Sequence, residues 1–378
     1  MKLKILVIVV FLFSCEKNSN NDNFIIHPTQ ANLLDENEIT NIISKEAKKN
    51  SSFKKDIPDF KTIIRDNNYY EIGKLDGVKE EIFSNIDQVA IKGEKLYILD
   101  RYNVKISVFS SRDGSFLGTV GNEGKGPGEF LQPNSITFSE DRIFVSDRAF
   151  SIKSGQLTSE KIGEISGFET NMKTPPEHIC ATDKFLIVKS TARIDSTSKT
   201  LHKLDFQKPN KKISFGEPYI TDDLIAQQLL SEGIITCDSE GQNIVSAKFI
   251  LPYLYNYDED GKLKWISKIN DYRPLKFREE VGQGMSTRWN KDDFVYNEYS
   301  SMFFYDNYLI LQIKSFRNFF REDQLEIENK GIETYLIDSS NGKGVYLGNG
   351  LPEIKFIDDS FLVIDSGEKY PMIKIFKL

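Results

Sequence analysis

A five-residue phrase, Leu96-Tyr97-Ile98-Leu99-Asp100, returns 47 positions later as Ile143-Phe144-Val145-Ser146-Asp147, and again near the C-terminus as Leu362-Val363-Ile364-Asp365. Weaker echoes lie at Phe185 to Lys189, Asn243 to Ala247 and Tyr308 to Gln312, so six related units run from about residue 85 to the end. A period in the forties is that of four-stranded propeller blades. One such blade has two apolar faces and cannot bury both alone, whereas a closed ring buries them against neighbouring blades. The expected fold is all-β, a six-bladed β-propeller of four-stranded antiparallel blades over residues 59–378.

Unit one shows the blade plan. Strand A is expected at Gln88 to Ile91, strand B at Lys95 to Leu99, strand C at Lys105 to Phe109 and strand D at Phe116 to Val120, with a turn at Arg112-Asp113-Gly114. In an up-and-down blade the A–B and C–D turns share one end of the ring, while B–C loops and the D–A connections between blades share the other. Tight turns at Lys92-Gly93-Glu94, Glu240-Gly241, Asp258 to Gly261 and Asn341-Gly342 fall at the first end. The long segments, Gly121 to Pro133, Gly216 to Gly233, Asp271 to Glu298 and Arg317 to Gly331, fall at the second. Long loops on one face of a rigid scaffold are where binding is usually carried. The last unit stops at Ile373-Lys374-Ile375-Phe376 with no room for a fourth strand, so an N-terminal strand is expected to supply its outer edge and close the ring. The first firm strand is expected at Lys61 to Ile64, with Tyr70 to Leu75 behind it.

Lys2 and Lys4 precede an apolar run, Ile5 to Phe13, that is too short to span a bilayer, so residues 1–14 read as a signal peptide. Leu12-Phe13-Ser14-Cys15 resembles the lipobox of bacterial lipoproteins, which implies lipidation of Cys15 and attachment to the membrane. Residues 15–58, rich in Asn, Ser, Lys and Asp, read as a tether; the alternative is a short helix docked on the ring, and the composition favours a spacer. The formal charge of −7 becomes −9 once Lys2 and Lys4 are lost, which argues against a nucleic-acid partner. Cys180 and Cys237 begin units three and four. Export permits a disulfide, but innermost strands of neighbouring blades diverge, so two buried free thiols are expected.

Val108-Phe109, Asp113-Gly114-Ser115-Phe116-Leu117 and Gly121 to Phe130 with Pro133 are similar to NHL-type repeats. With the lipobox and the Leu-Tyr-Ile-Leu-Asp phrase, the chain resembles the six-bladed β-propeller lipoproteins common in Bacteroidota, over roughly residues 82 to 378. The resemblance implies an exported outer-membrane lipoprotein and leaves both the biochemical activity and the side of the membrane open.

Gly124-x-Gly126-x-Gly128 lacks the following helix of a phosphate cradle and reads as an inter-blade turn. Asp100, Asp147 and Asp365 end strand B and are expected to cap their own B–C loops. Arg101, Tyr102, Arg148, Arg193, Tyr253, Arg317 and Tyr370 occupy B–C regions and are expected to face the long-loop end. Arg273, Arg278, Arg288 and Trp289 lie in the long insertion after unit four, and such residues are common binding anchors, although Trp289 could equally pin its loop to a blade. His27, His178 and His202 are isolated and show no metal or triad spacing, so no catalytic set, metal site or cofactor is expected.

The reading is a membrane-anchored propeller that binds or scaffolds a protein, peptide or glycan through its long-loop face. One alternative is a lactonase-like hydrolase or lyase with a metal such as calcium at the channel mouth. Another is a structural subunit of an envelope complex.

Overall fold

A computed structural model describes residues 24–25, 38–46, 59–65, 68–73, 82–126, 128–149, 151–157, 165–168, 174–190, 199–206, 212–218, 228, 230–274, 277–280, 286–289, 294–321, 324–367 and 370–378. Six antiparallel sheets, taken in chain order from the innermost strand outward, form the blades. Blade one comprises Gln88–Lys92, Lys95–Asp100, Lys105–Ser110 and Phe116–Val120. Blade two comprises Pro133–Phe138, Arg142–Asp147, Ser151–Gln156 and Ile165–Phe168. Blade three runs Pro176–Ala181, Phe185–Ser190, Leu201–Asp205 and Lys212–Phe215. Blade four runs Gly233–Cys237, Ile244–Lys248, Tyr253–Tyr257 and Leu263–Ile269. Blade five has Phe294–Tyr305, Tyr308–Arg321, Gln324–Asp338 and Gly344–Asn349. Blade six has Ile354–Ile357, Phe361–Asp365 and Ile373–Lys377, and its outer strand is Tyr69–Ile72 from the N-terminal side, with Tyr70 opposite Ile375. The ring therefore closes with an N-terminal strand, as the short last unit requires.

The burial of each strand follows its place in the blade. Strand B of blade one buries Leu96, Tyr97, Ile98 and Leu99 in succession, because blades press on both of its faces. Outer strand Phe116–Val120 alternates between exposed and covered positions. Adjacent A strands diverge around the axis, and side chains satisfy the backbone groups that no strand can reach. Gln88 donates from Nε2 to the Ile136 carbonyl at 2.9 Å and accepts from the Ile136 amide at 2.8 Å. Ile179 and Ala181 donate to Ser135 and Thr137 of the preceding blade, and Gln312 performs the same task between blades five and six, accepting from the Ile354 amide at 2.6 Å. The turns at the opposite end need left-handed glycine. Gly261 has φ of +77°, and a Cβ there would lie 2.6 Å from the Phe215 ring.

Four expectations are corrected. Residues Lys61 to Ile64 are helical, within Phe60–Arg65; Asp59 caps the N-terminus by accepting from Thr62 Oγ1 at 2.7 Å, and Phe60 is buried against blades five and six. The tether is not all spacer, since Asn41–Ile43 adds a parallel fifth strand to blade four and Ile43 is fully buried between blades four and five. Ile42 and Ile43 stand among polar residues, a composition that reads as spacer. Cys180 and Cys237 form a disulfide with Cα atoms 5.9 Å apart, because A strands run closest together beside the axis. The segments Arg317 to Gly331 and Asp271 to Glu298 are not simple loops. The first continues strands B and C of blade five as a hairpin beyond the blade, where Arg317 lies opposite Glu328. The second contains a hairpin, Phe277–Glu280 with Ser286–Trp289, to which Phe24–Ile25 adds a third strand.

Candidate binding site at the long-loop end of the channel

Strand A begins, and strand B ends, at the long-loop end of the axis. In blades two, three, five and six, strand A carries a bulge near that end, so Asn134, Glu177, Ser300 and Lys355 have no cross-strand partner. A bulge re-aims the side chain of its extra residue. Three of these four are polar groups that meet the neighbouring blade. Asn134 accepts from Arg101 at 3.1 Å and donates to the Glu177 carbonyl, while Lys355 donates to the Ile86 carbonyl at 3.1 Å.

A cation from each blade joins this end of the ring: Arg101, Arg148, Lys189, Lys248, Lys314 and Lys355, interleaved with Asp87, Glu177, Glu232, Glu298 and Glu353. Around blades five, six and one the charges are paired except at Glu298, whose carboxyl burial raises against the pull of Lys314. Lys314 lies 2.7 Å and Lys355 3.1 Å from the same Glu353 oxygen, and Arg101 is 3.5 Å from Asp87. Burial would raise the Glu353 carboxyl, but Lys355 and Lys314 outweigh it and hold the group below the usual value.

Around blades three and four, burial dominates. It pushes the Glu177 carboxyl up to about 7, helped by the nearby charge of Glu232, against the pull of Lys189 and Arg148. Burial likewise draws Lys189 down to about 8 and Lys248 down to about 7. His178 is held down at about 4 by burial and by the charges of Lys189, Arg148 and Arg101. His202 is neutral for a structural reason: burial lowers it to about 4, and its ring bridges Ser190 and Ser214 at 2.9 Å each.

The aspartates that end the repeated phrase close this end of the blades. Asp147 accepts from the amides of Leu131, Gln132 and Ala149, and Asp100 accepts from those of Ser84 and Asn103. Each clamps the incoming D–A connection as well as its own B–C loop. Asp365 caps its loop through the Gly367 amide at 3.0 Å. In the Gly121 to Pro133 connection, the Gly126 amide donates to Glu129 at 2.6 Å, and Phe130 is a fully buried plug. The glycine-rich segment is thus filled by its own carboxylate. Among the described residues, no group of three or more His, Cys, Asp and Glu side chains is placed to hold a metal ion.

The residues singled out in the sequence scatter. Arg101 and Arg148 sit in the girdle; Tyr102, 71% exposed, lies against the Arg101 guanidinium, and Tyr370 is half exposed in the B–C loop of blade six. Arg273 is exposed, and its backbone is pinned by Asn297. Arg317 lies on the blade-five hairpin over Phe319. Tyr253 is a correction: it is buried with Leu230, Ile250 and Tyr296 instead of facing the channel mouth. Arg278 pairs in register with Arg288, and Trp289 with Phe277, in the inserted hairpin. Cys15 and Arg193 lie outside the described residues. Lys189, Lys248, Lys314, Glu177, Glu232 and Glu353 were missed. Their signal was a charge set against an apolar run, as in Leu186-Ile187-Val188-Lys189.

Residues 46–270 match DUF5128, a family described as a 6-bladed beta-propeller, and the chain belongs to that family. No curated protein matches it. Among solved structures, one similar chain is a "Putative exported protein" from Bacteroides fragilis NCTC 9343, at 15% identity and a TM-score of 0.50, covering 82% of this chain and 94% of its own. Another is a member of the DUF4221 family from Bacteroides vulgatus, at 11% identity and a TM-score of 0.49, covering 82% and 97%.

Proposed function

We propose that this chain is an exported binding module, anchored through lipid on Cys15, that engages a protein, peptide or glycan through its long-loop face. The carrying observation is the girdle: one end of the channel gathers a cation from every blade, with Arg101, Arg148, Tyr102 and Tyr370 presented to solvent there. The opposite end carries tight turns and isolated exposed pairs such as Arg112–Glu94. The lipobox-like Leu12 to Cys15 supports export and anchoring, and the Bacteroides fragilis neighbour is itself described as exported. The repeated phrase has a shared job in its first two copies, since Asp100 and Asp147 both clamp the incoming inter-blade connection.

The test is quantitative cross-linking and co-purification from native membranes. The wild type is compared with Arg101→Ala/Tyr102→Ala/Arg148→Ala and with an opposite-end control, Arg112→Ala/Lys264→Ala. A stoichiometric partner lost only from the first variant is the expected result. Equal recovery with all three proteins would remove the long-loop face from the reading.

A further inference from the structure

The girdle cations differ in how they are satisfied. Arg101 has Asn134 and Asp87, Lys314 and Lys355 share Glu353, and Lys248 donates to the Glu217 carbonyl at 3.0 Å. Lys189 is different: its side chain is fully buried and its ammonium has no hydrogen-bond acceptor among the described residues. Arg148, 44% exposed at the side chain, meets the Glu177 carboxylate only at 4.0 Å, which leaves most of its donor fork unused among the described residues. A buried ammonium without an acceptor is costly, and such a group in a native fold calls for a bound water, ion or ligand.

We propose that Arg148 and Lys189, with Glu177 between them, form a binding site for one carboxylate group at the channel mouth, a deepening that rests on the long-loop binding reading above. The resident charges favour a monoanion. Glu177 and Glu232 both lie beside Arg148 and Lys189, so a dianionic phosphate would meet two resident carboxylates. The shape favours a planar carboxylate, which the Arg148 fork can take in bidentate fashion while Lys189 contributes a single donor behind it. Glu177 occupies the position the ligand would take. It is the bulge residue between Pro176 and His178, so its side chain can swing aside without breaking a ladder bond.

The test is isothermal titration of the full chain in detergent with acetate, N-acetyl-glycylglycine and the C-terminal amide of that peptide. The acid is expected to bind at least tenfold more tightly than the amide. Arg148→Gln and Lys189→Met are each expected to weaken binding tenfold or more with an unchanged circular dichroism spectrum, and Glu177→Gln to tighten it severalfold by removing the competing carboxylate. Acetate binding as tightly as the peptide acid identifies a free small carboxylate as the ligand; binding of the peptide acid alone identifies a chain terminus. Equal binding of acid and amide, full affinity in Arg148→Gln, or no binding of any probe to the wild type overturns the proposal. Arg148 is exposed, so its variant decides the matter if Lys189→Met does not fold. If no probe binds but partner capture still depends on Arg101, Tyr102 and Arg148, only this inference fails.

Discussion

The two halves of the channel-mouth girdle hold similar residues in opposite states. Beside blades five, six and one, Glu353 sits between two lysines within hydrogen-bond distance and Arg101 lies beside Asp87, while Glu298 is governed by burial. Beside blades three and four, Lys189, Lys248, Glu177 and Glu232 are as deeply placed, yet burial outweighs pairing for each of them. The difference shows that a buried charge is stabilising or costly according to whether its partner is at contact, not according to its depth. The paired half clamps neighbouring blades together, whereas at the other half, among the described residues, the carboxylates are not within hydrogen-bond distance of the lysines.

Experiments on stability can break or sharpen that contrast. The unpaired half is held together covalently, so replacing both Cys180 and Cys237 by Ser should cost about 4 kcal/mol in urea denaturation, the loss expected for opening a loop of this length. A much smaller loss would mean that the charges themselves hold blades three and four together. Glu353→Ala should cost about 3 kcal/mol, because it removes the carboxylate of Lys314 and leaves Lys355 only the Ile86 carbonyl and the more distant Asp365. If it were tolerated, the paired half would be no clamp.

Lys248→Met should be neutral or stabilising by about 1 kcal/mol at pH 7, and it also tests the pH response. The folded-state pKa of Lys248, about 7, lies below the unfolded value, so between the two the unfolded chain binds more protons. Stability should therefore rise as pH increases from about 7 towards 10, and the variant should show a shallower rise. An identical slope in wild type and variant would show that Lys248 is not desolvated as described. Finally, Arg112→Ala should change stability by less than about 0.5 kcal/mol, since its pair with Glu94 is exposed at the opposite end of the ring.

The ring was legible because strand B is squeezed between blades and must be apolar on both faces, which makes Leu96 to Leu99 and its copies stand out. The closing strand was legible by default, since the last unit lacked an edge. The girdle was not. Lys189 and Lys248 stand at strand ends where a single sequence reads a charge as a loop boundary, and only the bulges in strand A bring Glu177 and Lys355 toward their neighbours. The blade-five hairpin was missed although Leu325-Glu326-Ile327-Glu328 alternates as a strand should, because its position in the blade plan suggested a loop. The disulfide was missed because divergence of the A strands was weighed without their closeness at the axis.

The strand at Asn41–Ile43 has a mechanical consequence. It lies against blade four; Lys45 then meets Asp271 and Glu333, and the chain returns to the ring through Tyr69–Ile72 on blade six. Lys45 and the helix Phe60–Arg65 both meet blade five on the way to the ring's seal. A pull arriving along the chain from before residue 24 would load the pairing of Phe24–Ile25 with Phe277–Arg278 first, and the parallel pairing of Asn41–Ile43 with Leu263–Ile269 next, before it reached the closing strand. The molecule thus carries strain relief between any leash and its lock, and the first events under tension should be release of these two short strands, with the six blades still shut.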